Sequence, residues 1–163
     1  PFLLTQLLLD RLKAAAPSRV VVVASRAHRH ARGIDFAAVR QPSRSTGGLM
    51  DYSVAKLANI LFAAELGRRL AGTGVTTYAL HPGVVATGIW RVLHWPLDAL
   101  VKPFMIDSEE GAKTTLYCAT ADEVAQQTGL YYVKSAVARP TPVAQDAALA
   151  QALWTASEGW VQG

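Results

Sequence analysis

One cysteine, Cys118, stands in the whole chain. A lone thiol excludes an intrachain disulfide and any zinc site built on clustered thiolates, and it is compatible with a reducing compartment. No apolar run reaches the roughly 20 residues that a helix needs to cross a bilayer, so the sequence holds no transmembrane helix. Charge is sparse as well: 17% of the 163 residues are Asp, Glu, Lys or Arg, and the formal net charge is only +4. No long basic run is interleaved with aromatics, which leaves nucleic-acid binding without support. A solvated surface is the default reading of the excess charge, although it would also favour a phosphate-bearing ligand. Internal repeats and low-complexity stretches are missing too. The opening Pro1-Phe-Leu-Leu-Thr-Gln-Leu-Leu-Leu9 has no basic residues before it and no small-residue cleavage site, and Asp10, Arg11 and Lys13 follow at once. It reads as a helix rather than a signal peptide. A chain that opens on Pro1 in mid-pattern, with no Met, reads as cut from a longer protein.

What is present is apolar and patterned. At 51% hydrophobic, the chain can build one domain with a real core. Phe2, Leu3, Leu7, Leu8, Leu9 and Leu12 recur at helical spacing before Pro17 stops the segment. Arg19-Val-Val-Val-Val-Ala24 is a β-branched run without alternation, which suits a parallel strand covered on both faces. The polar stretch from Arg26 to Gly48 reads as a long loop. A helix is expected from about Asp51 to Leu70, with Val54, Leu57, Ala58, Leu61, Phe62 and Leu66 as its apolar stripe and Gly72-Thr-Gly74 ending it. Val75–Leu80 is a second strand, broken by His81-Pro-Gly83. Residues 89–105 read as irregular short helices, Ser108 to about Thr120 as a helix, Gly129–Val133 as a third strand, and Asp146 to about Ser157 as a last helix. Helices alternating with strands imply an α/β layered domain with parallel strands.

The most informative residues are Tyr52 and Lys56. Four apart on a helix, they lie one above the other on the same face. A cation beside a phenol favours phenolate, and so can make a group with an ordinary pKa of about 10 usable as a base near neutrality. Alone, Tyr-x-x-x-Lys is a weak signal. Ser25 ends the first strand, and in an open parallel sheet ligands bind at the carboxyl ends of strands. Each residue also has a bland reading: a packed ring, a surface ammonium, a turn cap. His28 and His30 form a His-x-His pair beside Arg26, Arg29 and Arg32; no further ligand is evident locally, so no metal is expected and a solvated basic loop is the reading.

In order and spacing, these pieces resemble the short-chain dehydrogenase/reductase superfamily, and within it the retinol dehydrogenase-like group. The resemblance runs through Pro1–Leu9, Arg19–His28, Tyr52–Asn59, Gly74–Thr87, Glu110–Ala119 and Thr128–Tyr132. It implies a Rossmann-like, doubly wound parallel sheet of which this chain, 1–163, is a single partial domain: the last three strands, with the cofactor-binding first half absent. The glycine-rich pyrophosphate loop and the Asn-Asn-Ala-Gly segment of the family are not in the sequence, and the Asn that completes the family's catalytic set would lie upstream of Pro1. The strand also reads Val22-Val-Ala24 where the family often has Asn-Val-Ser.

The resemblance implies an NAD(P)-dependent interconversion of an alcohol and a carbonyl. Tyr52 would be the general acid/base, Lys56 would tune it and hold the nicotinamide ribose, and Ser25 would polarise the carbonyl. Pro82 and Gly83 would bring backbone close to the cofactor. Val85 would hold the carboxamide through its backbone, and Thr87 would contact carboxamide or phosphate. Trp90, Leu93 and Trp95, within a substrate-binding segment at about 88–106, would line an apolar pocket, or else simply pack on the core. The substrate would be a small-molecule alcohol or carbonyl of retinoid, steroid or lipid type. NADP is favoured over NAD by resemblance only. The helices at 2–16 and 52–70 commonly pair in this family, so a homodimer is allowed, and the parent protein would be cytoplasmic or associated with the cytoplasmic face of a membrane. Two other readings stand: a non-catalytic remnant of the fold, and a sugar-nucleotide epimerase or dehydratase sharing Tyr-x-x-x-Lys. Pro82 to Thr87 and the tail motifs fit the reductase group better than the latter.

Overall fold

The computed structural model describes residues 1–42, 47–83 and 108–162. Four strands form one sheet in the order β1-β2-β3-β4: β1 (Ser18–Val23), β2 (Val75–His81), β3 (Leu130–Val133) and β4 (Ala136–Val137). The first three run parallel, with Ser18 opposite Val75 and Tyr78 opposite Leu130, and β4 returns antiparallel to β3. Parallel strands need crossovers, and helices supply them: α2 (Leu49–Arg69) between β1 and β2, and α3 (Ser108–Thr120) between β2 and β3. Helix α1 (Phe2–Ala14) precedes β1, and α4 (Ala147–Gln162) ends the described chain.

Burial explains the layering. In β2, Val75, Thr77 and Ala79 alternate with Tyr78 and Leu80, and all five are buried, as a central strand covered on both faces requires. Val75 and Ala79 join the core built by α2 (Leu57, Ile60, Leu61, Phe62, Leu66) and α4 (Leu153, Trp154). Tyr78 and Leu80 face the opposite side, with Cys118 of α3, Val124 and Tyr132. The result is a helix–sheet–helix sandwich.

Strand β1 differs. Among the described residues it is paired on one side only, and Val20–Val23 line an open groove of about 410 Å³ with Leu4, Leu8 and Leu12 of α1. Leu4 and Leu7 remain 65% and 73% exposed. The β-branched run is thus the edge of this sheet among the described residues.

Three features went beyond the sequence reading. The β3–β4 hairpin turns through Lys134 and Ser135, both with positive φ (53° and 57°), a conformation usually announced by Asn or Gly. The Ser135 N–H donates to Thr114 Oγ1, tying that turn to α3. The last helix continues past Ser157 to Gln162, where Trp160 packs near Phe36. Finally, α4 covers part of the α1–α2 surface: Trp154 stacks on Phe62 and meets Phe2 edge-on. A second copy seated on helices 2–16 and 52–70 would have to contact α4 as well.

Gly67 fixes how closely α2 approaches the sheet. A Cβ there would lie 2.7 Å from Thr77 Oγ1, 2.8 Å from Thr128 Oγ1 and 3.0 Å from the Gly129 nitrogen. Those atoms form one junction: Thr77 Oγ1 donates to the Ala63 carbonyl, Thr77 N–H to Thr128 Oγ1, and Gly129 N–H to the Thr77 carbonyl. Overpacking costs about 1–3 kcal/mol, and the better helix propensity of Ala returns at most about 1 kcal/mol. Gly67→Ala is therefore expected to lower the melting temperature by several degrees in a thermal scan. An unchanged or raised melting point would show that α2 can move outward freely.

Candidate functional site

Ser25 follows β1 and caps the short 3-10 turn Arg26–His30, accepting the Ala27 N–H on its Oγ at 3.2 Å. That use occupies one lone pair. Among the described residues no acceptor takes the hydroxyl hydrogen, so Ser25 keeps a donor to offer. Helix α2 runs past the same strand end. Its Lys56 ammonium donates to the Val23 carbonyl at 3.2 Å, and the Asn59 side-chain amide donates to that same carbonyl at 3.1 Å. Two donors converging on one backbone oxygen pin this face of α2 to the carboxyl end of β1, two residues before Ser25.

Tyr52 lies one turn before Lys56, with the Lys56 nitrogen 5.4 Å from the centre of its ring. Tyr52 is 44% exposed, and its hydroxyl has no hydrogen-bond partner among the described residues. Lys56 and Asn59 thus reach the end of β1, which Ser25 follows, and Tyr52 stands one turn before Lys56 on the same helix. Asn59 was not singled out. Its spacing was the available signal, since positions 52, 56 and 59 share one helix face.

The neighbouring strand ends at His81, followed by Pro82 and by Gly83 with φ of 100°. Such a backbone angle favours glycine and leaves bare main chain at the strand end. Ala24 N–H donates to the Leu80 carbonyl at 2.7 Å, so this turn sits beside the Ser25 turn. Arg26, His81, Pro82 and Gly83, with Thr114 and Lys134, line a cavity of about 320 Å³ at the carboxyl edge of the sheet. Val85, Thr87, Trp90, Leu93 and Trp95, and the whole segment 88–106, lie outside the described residues.

One expectation is corrected. His28 does not belong to a solvated basic loop: it is fully buried, whereas His30 is exposed. The 3-10 turn rolls its ring inward against Tyr131, 5.3 Å away and edge-on, where both ring nitrogens have partners in the Ser25 carbonyl and the Thr141 N–H. His81 is buried as well, and its Nδ1 has no hydrogen-bond partner among the described residues. Burial, then the positive charge of Arg26 and the proximity of His28, push its pKa from 6.5 down to about 4.

The sign of the linkage follows. His81 binds a proton more readily when unfolded, so its contribution to stability is complete above about pH 6.5 and is lost as pH falls towards 4. Unfolding titrations across that window should show a loss larger by about 3 kcal/mol than that of His81→Phe, in which His28 still titrates. Parallel curves for the two proteins would contradict it.

With this geometry in view, similarity to known proteins becomes informative. No family model matches the chain. Among curated proteins, it is 44% identical over 164 residues to dehydrogenase/reductase SDR family member 13 of Bos taurus, covering 96% of this chain and 43% of that protein. It is also 44% identical over 158 residues to retinol dehydrogenase 12 of Homo sapiens, covering 96% of this chain and 49% of that one. A solved structure of an uncharacterized protein from Mycobacterium paratuberculosis superposes with a TM-score of 0.72 at 34% identity, over 97% of this chain and 54% of the other. The chain belongs to the short-chain dehydrogenase/reductase family. It spans less than half the length of the curated relatives named here. An NADPH-bound short chain oxidoreductase from Pseudomonas aeruginosa, 20% identical with a TM-score of 0.57 over 78% of this chain and 48% of that one, shares the family fold.

Proposed function

We propose that this chain is the catalytic half of an oxidoreductase that interconverts an alcohol and a carbonyl with a nicotinamide cofactor, and that a dinucleotide-binding half completes it. The observation that carries this reading is the convergence at the end of β1: the Lys56 ammonium and Asn59 amide on the Val23 carbonyl, the Tyr52 phenol one turn away, and the Ser25 hydroxyl two residues on. An unpaired β1 edge supports the second part of the proposal, because further parallel strands would pair there.

The residues present fit the nicotinamide end of such a cofactor. Lys56 and the bare backbone at Gly83 lie at the carboxyl ends of adjacent strands, where an open α/β sheet binds ligands. When bound, the nicotinamide supplies or accepts the hydride. The chain's own groups manage the oxygen and its proton. Ser25 donates a hydrogen bond to the carbonyl oxygen and stabilises the negative charge that develops there. In reduction, Tyr52 gives its hydroxyl proton to that oxygen; in oxidation it takes the proton back. The Lys56 ammonium lies over the Tyr52 ring, 5.4 Å from its centre. Val85 and Thr87 are assigned to the cofactor, and Trp90, Leu93 and Trp95 to an apolar substrate of retinoid, steroid or lipid type, on family resemblance. The same resemblance favours NADP over NAD.

The test is an assay of the full-length protein with long-chain and polyene aldehydes, following loss of NADPH or NADH absorbance. Turnover with an apolar aldehyde, faster with NADPH, is the expected result. Turnover of sugar nucleotides without net change in cofactor would establish the epimerase reading instead. Cofactor binding without any turnover would establish the non-catalytic one.

A further inference from the structure

His28 is a buried group beside the proposed site whose partners connect three separate parts of the fold. Its Nδ1 lies 2.6 Å from the Ser25 carbonyl oxygen, and its Nε2 receives the Thr141 N–H at 3.4 Å. A carbonyl can only accept and an N–H can only donate, so the ring is neutral, with its proton on Nδ1. Burial, which lowers its pKa, favours that same state, against a smaller opposing effect of the Ser25 carbonyl. The charged or titratable groups around it are Arg26 and Arg29 on its own turn, His81 on β2 and Tyr131 on β3.

The Ser25 carbonyl also accepts the His28 main-chain N–H at 3.2 Å, so one residue grips it twice, by backbone and by ring. That double grip sets the peptide plane following Ser25, while Oγ is held by the Ala27 N–H. The ring in turn is braced by Tyr131 and by the loop carrying Thr141.

We propose that His28 is a positioning residue: its buried imidazole locks the Ser25 turn to β3 and to the Thr141 loop, and so aims the Ser25 hydroxyl at the carbonyl oxygen. This rests on the assignment of Ser25 made above. Misaiming a hydrogen-bond donor by an ångström costs up to about 100-fold in rate without removing any group from the site.

The experiment compares His28→Phe, which keeps a ring against Tyr131 but removes both nitrogens, with His28→Asn, whose amide can donate from a similar place. In the full-length protein, His28→Phe should lower kcat for carbonyl reduction by about 30-fold, leaving the KM for cofactor within about twofold, and His28→Asn should recover most of the loss. In a Ser25→Ala background, His28→Phe should have almost no further effect, since its action passes through Ser25. A full additional loss in that background, or no loss in the single variant, would overturn the proposal. Should Ser25→Ala itself leave turnover intact, the reading of the site fails, and amide exchange then decides on His28 alone. If the ring holds the turn, exchange at the backbone N–H of residue 28, which donates to the Ser25 carbonyl, speeds up at least about tenfold in both His28→Phe and a Ser25→Ala, His28→Phe double variant relative to their parents; unchanged rates would mean that it does not. Where the Phe variant does not fold, Thr141→Pro in the protein with His28 intact, which deletes the N–H partner of Nε2 at a φ of −63° that proline adopts, reads the same two quantities: a kcat loss tied to Ser25 supports the proposal, and wild-type values overturn it.

Discussion

Tyr52→Phe should cost the full-length protein about 1,000-fold in kcat for carbonyl reduction, within the range of about 100- to 10,000-fold that a positioned general acid contributes. The substitution removes a single oxygen. The ring stays, and so does its contact with the Lys56 ammonium, which lies over the ring rather than on the hydroxyl. The hydroxyl has no hydrogen-bond partner among the described residues and Tyr52 is 44% exposed, so folding loses little when it goes. Cofactor binding and melting temperature should therefore change by little while turnover collapses. Loss of stability in step with activity would mean that the hydroxyl is structural. Lys56→Met is expected to differ: it removes the charge beside Tyr52 and one of the two donors on the Val23 carbonyl, and should weaken cofactor binding as well as kcat. Stopped-flow turnover and fluorescence titration of NADPH separate the two patterns.

The second large effect concerns the 163 residues expressed alone. Val20–Val23 form an edge with unpaired backbone groups along an apolar groove, and Leu3, Leu4, Leu7 and Leu8 of α1 are each 45–73% exposed. A flat, apolar, unpaired edge strand is a template for pairing with another chain. Light scattering should find this chain associated at micromolar concentration, and calorimetry should find no dinucleotide binding, because a pyrophosphate-binding turn is not in its sequence. Supplying the first half of the fold covers that edge, and should restore a defined oligomeric state together with affinity for cofactor. A monodisperse monomer that binds NADPH stoichiometrically would show that the sheet is self-sufficient at β1.

How far the sequence disclosed this outcome depended on whether a feature was local. Strands β1, β2 and β3 and all four helices were readable, since apolar spacing and the punctuation at Pro17, Gly72-Thr-Gly74 and Pro82-Gly83 are local signals. The two-residue strand β4 was not, because Lys134 and Ser135 adopt positive φ without the Asn or Gly that usually marks such a turn. The meeting of Tyr52 with Lys56 was a matter of helical spacing. That Lys56 and Asn59 would both reach the Val23 carbonyl depends on how α2 lies against β1, with residues more than 30 positions apart, and no local pattern records that. His28 was misread for the same reason. In a stretch with Arg26, Arg29 and Arg32 a histidine looks solvated, and only the tertiary arrangement brings Tyr131 and Thr141 over it.

The most direct measurement is transfer of deuterium from NADPH deuterated at C4 of the nicotinamide, by the full-length protein, to an apolar aldehyde under single-turnover conditions. Mass spectrometry should find one deuterium on the carbinol carbon of the alcohol formed by the wild type, and almost none over the same interval with Tyr52→Phe. Deuterium delivered equally fast without the phenol hydroxyl, or an alcohol formed with no deuterium at all, would contradict proton delivery by Tyr52 beside Lys56 as the purpose of this site.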